Sequence, residues 1–190
     1  FPQALEALKY FCEAAREYHI VVAVSLWGVA LHAGVSFPVG KVQTMRLFPM
    51  DFEEFLMAMG EDQLLKLMHS KDYALMNACH EKRHDDLRQY YYVGGMPEVV
   101  KMYMENKLLG QVRTIQNEIL SNYASDFSKH APAQEVPRID MVWQSILGQL
   151  SKENKKFVYG VLKKGGRAKS FELAIQWLVD DGFVYIITIV

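Results

Sequence analysis

The sequence has little cysteine, no long apolar run and almost no net charge. Its two cysteines, Cys12 and Cys79, lie in helical apolar patterns without Cys-x-x-Cys spacing, which favours reduced core thiols over a disulfide or a metal site. No apolar segment reaches the roughly 18 residues of a bilayer-spanning helix, and the first residues lack the pattern of a signal peptide. We therefore expect a cytoplasmic protein without a membrane partner. The formal net charge of −1 excludes attraction of the whole chain to nucleic acid, so any such contact needs a local basic patch.

The composition that remains is that of an ordered globular protein, with 51% hydrophobic and 23% charged residues. Residues 1–60 alternate between helical and strand patterns. Residues 2–18 have helical periodicity, and residues 19–26 are a nearly continuous β-branched run typical of a strand buried on both faces. A short helical turn at residues 27–32 precedes a second apolar strand at residues 42–48. This alternation predicts an α/β region with a parallel sheet and crossover helices.

From Asp51 onward the pattern becomes mostly helical. Asp51 is a helix N-cap, and Glu54 three residues later completes a capping box that begins a helix reaching Met59. Four further segments repeat apolar residues three and four positions apart, which predicts amphipathic helices. These helices are expected at residues 63–69, 73–91, 97–105 and 109–127.

The last fifty residues form a separate pattern of three helices and a terminal strand. Helices at residues 139–150, 157–163 and 170–180, followed by a strand at residues 183–190, predict a winged-helix domain. Its basic residues make it a candidate for nucleic-acid binding. The residues concerned are Lys163, Lys164, Arg167 and Lys169. Few exposed polar positions remain on the third helix, so contact with a protein partner stays an open alternative.

Two segments carry a resemblance to a known family. Residues 40–55 (Gly-Lys-Val-Gln-Thr-Met-Arg-Leu-Phe-Pro-Met-Asp-Phe-Glu-Glu-Phe) and residues 92–98 (Tyr-Val-Gly-Gly-Met-Pro-Glu) resemble, in order and spacing, a widespread family of prokaryotic AAA-like P-loop ATPases of poorly defined function. The resemblance implies that residues 1–60 are the C-terminal part of the ATPase core, residues 61–138 a helical lid, and residues 139–190 the winged helix.

The phosphate-binding part of such an ATPase is not in this sequence. No GxxxxGK[ST] loop occurs, and the acidic strand that holds magnesium would lie before Pro2. Phe1 also stands where an initiator Met is expected, so we expect a fragment. The resemblance then implies that ATP and Mg²⁺ bind to the full-length protein, and that neither binds tightly to this chain.

The resemblance also implies roles for individual residues. Ser25 matches a polar position that senses the γ-phosphate, and Lys41 matches a cation placed against a neighbouring subunit's nucleotide, so both are candidate catalytic residues. Gly94, Gly95 and Pro97 match a lid element that packs on the nucleotide base. A backbone-satisfied serine, a solvated lysine and a plain loop-to-helix transition remain the alternatives.

A metal site is not predicted. His80 and His84 lie one helical turn apart, but no third ligand accompanies them. Arg83 and Asp86 fall where an apolar stripe is expected. These two residues, together with Val24 and the apolar C-terminal end, also raise the hypothesis of an altered variant without intact function.

Two functional hypotheses therefore stand beside each other. The first is a nucleotide-dependent switch or motor to which this chain contributes sheet strands, lid and winged helix while being catalytically silent alone. The second is a non-enzymatic module that binds DNA or a protein through the winged helix. A homo-oligomer is compatible with both.

Overall fold

The computed structural model describes residues 2–23, 40–154 and 156–187, and within these residues every regular element is a helix. The α-helices are α1 (Pro2–Ala14), α2 (Phe52–Met59), α3 (Asp62–Ser70), α4 (Tyr73–Ala78), α5 (His80–Val93), α6 (Pro97–Asn106), α7 (Leu109–His130), α8 (Val136–Leu150), α9 (Tyr159–Leu162) and α10 (Glu172–Asp180). A short 3₁₀ helix, Ala168–Ser170, precedes α10.

The predicted α/β fold with a parallel sheet is therefore wrong for the described chain. Among the described residues, 19–23 and 42–48 have no strand partner, and 183–187 form no wing strand. Val21 is 94% exposed and Leu47 is 99% exposed, so these apolar runs are not covered on both faces as predicted. A β-branched run becomes a strand only where a neighbour completes its hydrogen bonds and covers its side chains, and the described residues supply no such neighbour. The remainder of the first predicted strand and the turn at residues 27–32 lie outside the described residues.

The helices were predicted more accurately because their signals are local. The capping box is confirmed: the Asp51 side chain accepts from the Glu54 amide at 2.9 Å, and the Glu54 carboxylate accepts from the Asp51 amide at 3.0 Å. Pro97 occupies the first turn of α6, where its missing amide hydrogen costs nothing. The single helix predicted over residues 73–91 is wrong, because the helix is interrupted at Cys79 and forms two helices, α4 and α5.

The expected apolar stripe spans this break and is not buried along its length. Leu75, predicted on the stripe, is 53% exposed. Asp86 is buried in the same region, and its carboxylate accepts from Lys82 Nζ at 3.0 and 3.1 Å. Lys82 Nζ also donates to Glu61 Oε1 at 2.6 Å, so Asp86 belongs to an ion-pair network that links α5 to the start of α3.

The chain divides into two compact units. The middle unit comprises Met45–Asn122 and contains α2 to α6 with the first part of α7. Its core forms where α2 packs against α5 and α6. The buried residues of this core are Phe55, Val93, Val99, Val100, Tyr103 and Val112.

The second unit combines Phe1–Thr44 with Tyr123–Val190. Its core is rich in aromatic rings from the end of α7, from α8 and from α10. Phe127 is 2% exposed and makes edge-on contacts, at centroid distances of 5.1 to 5.4 Å, with Trp143, Trp177 and Phe183. Edge-to-face pairs of this kind add about 0.5–1.5 kcal/mol each beyond simple burial, so this cluster fixes how α7, α8 and α10 pack.

Among the described residues, no helix is both long and apolar enough to cross a membrane. Cys12 and Cys79 are free thiols, and both are half-buried and not, as expected, in the core.

Candidate functional site

The two segments that carry the family resemblance meet in space. The Met50 amide donates to the Gly95 carbonyl at 2.7 Å, and the Tyr90 hydroxyl donates to the Met50 carbonyl at 2.9 Å across 40 residues of chain. We call this contact between Met50 and the Gly94–Gly95 turn the motif junction. It joins the segment before α2 to the turn between α5 and α6.

Both glycines of the motif junction are required by its geometry. Gly94 has φ 76° and ψ −174°, a conformation that is essentially restricted to glycine. A Cβ atom on Gly95 would overlap the Met50 carbonyl oxygen and lie 3.0 Å from the Met50 nitrogen. The Gly-Gly pair is therefore explained by a positive φ angle at Gly94 followed by close backbone packing at Gly95.

A residue that the sequence did not single out stabilises the same turn. The side-chain amide of Gln116, on α7, donates to the carbonyls of Tyr92 at 2.9 Å and Val93 at 3.0 Å. These carbonyls belong to the last turn of α5 and have no partner within that helix. Nothing in the sequence distinguishes Gln116 from an ordinary surface glutamine, because its role depends on a contact more than twenty residues away.

A shallow groove of about 250 Å³ opens beside the motif junction. Its lining combines apolar side chains from α2 and α6 with one cation and one carboxylate. The lining residues are Met50, Ala58, Pro97, Val100, Lys101, Met104 and Glu105. The groove can hold a flat apolar group, and Lys101 and Glu105 offer one hydrogen-bond donor and one acceptor.

Tyr90 lies half-buried beside the motif junction. Burial raises the pKa of its phenol, and the negative charges of Asp51 and Glu54 raise it further. The phenol therefore remains protonated at neutral pH and keeps donating to the Met50 carbonyl. Its ring also contacts Phe52 and Phe55 at centroid distances of 5.6 and 5.4 Å.

The two predicted catalytic residues are not brought to this groove by any described contact. Ser25 lies outside the described residues. Lys41 lies in a turn with Gly40, and its Nζ lies 3.3 Å from Glu13 Oε1 in a half-exposed ion pair. Lys41 belongs to the unit that contains α1, whereas Gly94, Gly95 and Pro97 belong to the middle unit.

The predicted nucleic-acid-binding residues lie together on one short segment. We call Lys163, Lys164, Arg167 and Lys169 the basic turn; all four are exposed. The turn between α9 and the 3₁₀ helix is closed by the Gly166 amide, which donates to the Lys163 carbonyl at 2.7 Å. A Cβ atom on Gly166 would lie 2.7 Å from the Tyr159 carbonyl oxygen, so this glycine too is required by close backbone packing.

The His80 and His84 rings stack with centroids 5.8 Å apart, and no group of three or more His, Cys, Asp or Glu side chains within the described ranges could hold a metal ion.

Comparison with known protein families identifies a match over part of the chain. A family model described as "Domain of unknown function (DUF8612)" matches residues 84–188, more than half of the chain, from α5 through the basic turn and α10. No curated protein and no solved structure matches.

Proposed function

The chain belongs to the family defined by this domain of unknown function, DUF8612, and we propose that it is part of an ATP-binding protein of the AAA-like class whose motif junction contacts the adenine base. The motif junction is the observation that carries this proposal. The two segments that resemble the ATPase family are separated in sequence, yet Met50 and Gly95 are hydrogen-bonded through their backbones. Two segments that act at one nucleotide site are expected to lie in contact, as Met50 and Gly95 do.

The groove beside the motif junction supports contact with a base. Its volume of about 250 Å³ accommodates a purine, and Met50, Pro97 and Met104 provide apolar surface for a flat ring. Lys101 and Glu105 can pair with the acceptor and donor edges of adenine.

The same residues do not fit the triphosphate. Lys101 is the one cation among the groove's lining residues, and the sequence has no phosphate-binding loop. Residues beyond this chain would therefore have to bind the phosphates and Mg²⁺. This chain contributes a base-contacting surface and no hydrolysis. We also propose a cytoplasmic location, where the two free thiols would remain reduced.

The proposal is tested by photolabelling the chain with 8-azidoadenosine and mapping the modified peptides by mass spectrometry. We expect labelling of peptides from α2 and α6 that line the groove. The affinity should be weak, with a Kd of about 1 mM or higher, because a base of roughly ten heavy atoms in an open groove gains little binding energy.

Two substitutions make the test specific. Met104→Glu places a charge in the groove and should abolish labelling of α6. Met57→Glu is the matched control, because Met57 is exposed on α2 of the same unit and does not line the groove. Equal labelling of Met104→Glu and the unsubstituted chain would overturn the base-binding proposal. ATP hydrolysis by this chain alone would overturn the proposal that this chain contacts only the base and that other residues bind the phosphates.

A further inference from the structure

The geometry points to a second binding surface, distinct from the motif junction: the basic turn binds the phosphate backbone of duplex DNA without reading its sequence. Lys163, Lys164, Arg167 and Lys169 are all exposed within seven residues. None of them forms an ion pair with another described residue, whereas Lys41, Lys82 and Arg138 elsewhere in the chain do. Four unneutralised cations so close together repel one another, and a polyanion would relieve that repulsion.

Charges around the basic turn reinforce this surface. Lys152 and Lys156, both exposed, lie in the segment between α8 and α9. That segment is attached to α8 because the Val158 amide donates to Gln149 Oε1 at 2.6 Å. Glu153 and Glu172 are the opposing carboxylates in residues 152–172, so positive charge dominates.

The residue types favour nucleic acid over a protein partner. Lysine is depleted at protein interfaces, which rely on buried aromatic anchors and arginine. Lysine binds phosphate well as a point charge, and phosphate contacts supply most of the affinity of non-specific DNA binding.

The surrounding aromatic residues favour a duplex over a single strand. Single-strand binding needs exposed rings on which bases can stack. Phe157 and Tyr159 contact each other edge-on at 5.1 Å and pack on the core of their unit, so they are not free to stack.

Helix α10 does not provide base reading. Its exposed residues include Glu172, which would repel phosphate, and Leu173, which is 67% exposed. The Gln176 side-chain amide donates to Asp180 at 2.7 Å, so this group is already engaged. The expected binding is therefore electrostatic and independent of sequence.

The test measures binding of the chain to two 20-base-pair duplexes of unrelated sequence by fluorescence anisotropy between 50 and 200 mM KCl. Four phosphate contacts predict a slope of log K against log salt of about −3.6, which is about a 150-fold loss of affinity across this range. The two duplexes should bind equally. The variant Lys163→Ala, Lys164→Ala, Arg167→Ala should reduce the slope to about −0.9.

Two further variants separate charge from folding. The variant Lys163→Arg, Lys164→Arg, Arg167→Lys retains the charges and should retain the slope. The variant Arg46→Ala, Lys66→Ala, Arg88→Ala removes the same number of exposed charges from the other unit and should bind as the unsubstituted chain does. No binding at 50 mM KCl, equal losses in both alanine variants, a strong preference for one duplex, or binding to anionic phosphatidylserine vesicles but not to DNA would each overturn the inference.

Discussion

Gly95→Ala is the substitution that most sharply tests the motif junction. The added methyl group would overlap the Met50 carbonyl oxygen and press on the Met50 nitrogen and carbonyl carbon at 3.0 and 3.1 Å. These are backbone atoms, so no side chain can rotate away. The segment before α2 must therefore shift, and the hydrogen bond from the Met50 amide to the Gly95 carbonyl is lost. Overpacking costs about 1–3 kcal/mol and a lost hydrogen bond about 1 kcal/mol, so we expect a loss of about 2–4 kcal/mol.

Urea unfolding and thermal melting of purified variants measure this loss. For a chain of this size, about 2–4 kcal/mol corresponds to a fall in Tm of about 4–16 °C. Gly148→Ala is the matched control: Gly148 lies within α8, and an added Cβ there meets nothing within 4 Å. Replacing a helical glycine with alanine should instead stabilise by about 0.5–1 kcal/mol. If both substitutions change Tm by the same amount and sign, the close packing of Met50 against Gly95 is refuted.

Further predictions concern two polar contacts of the middle unit. Tyr90→Phe removes the hydrogen bond to the Met50 carbonyl and should cost about 1 kcal/mol in urea unfolding, whereas Tyr91→Phe, on an exposed ring, should change little. Lys82→Met leaves the buried Asp86 carboxylate without its cation. Since Lys82 is about half exposed, we expect the free energy of unfolding to fall by only about 1–2 kcal/mol. A fall below measurement error would contradict the ion-pair network. The hydrogen bond to Glu61 is the main cause that raises the Lys82 pKa above its ordinary 10.5, and Asp86 adds to it against an opposing effect of burial. The stability that Lys82 contributes is therefore fully present below pH 10.5 and is lost as pH rises through its folded pKa. The measured quantity is the difference in unfolding free energy between the unsubstituted chain and Lys82→Met. This difference should stay constant between pH 7 and 9 and shrink above pH 10.5.

The helices were predictable from sequence because their signals lie within a few residues. Asp51 and Glu54 bond to each other's backbone, and Pro97 begins α6 through its own fixed φ angle. These features need no information from distant parts of the chain. The break at Cys79 was missed because the apolar period continues across it.

The strands were mispredicted because strand formation depends on a partner. Residues 19–23 and 42–48 have β-branched and apolar character, but composition does not identify a neighbouring segment that would complete the backbone hydrogen bonds of a strand. Asp86 was unexplained for a related reason: its pairing with Lys82 on the same helix is local, but its burial depends on how the helices of the middle unit pack.

The candidate site was only partly predictable. Gly94, Gly95 and Pro97 were singled out through the family resemblance, whereas the roles of Met50 and Gln116 arise from contacts with distant parts of the chain. The basic turn was identified from clustered positive charge within the predicted winged helix. Its lack of ion-pair partners within the described chain could be seen only in the fold.

An NMR titration of the isotope-labelled chain with adenosine tests the central proposal most directly. Adenosine carries no phosphate, so the basic turn cannot contribute to its binding. The proposal predicts saturable shift changes at Ala58, Val100 and Met104, which line the groove, and little change in α10. It is contradicted if these groove residues stay unperturbed at millimolar adenosine while the chain remains folded.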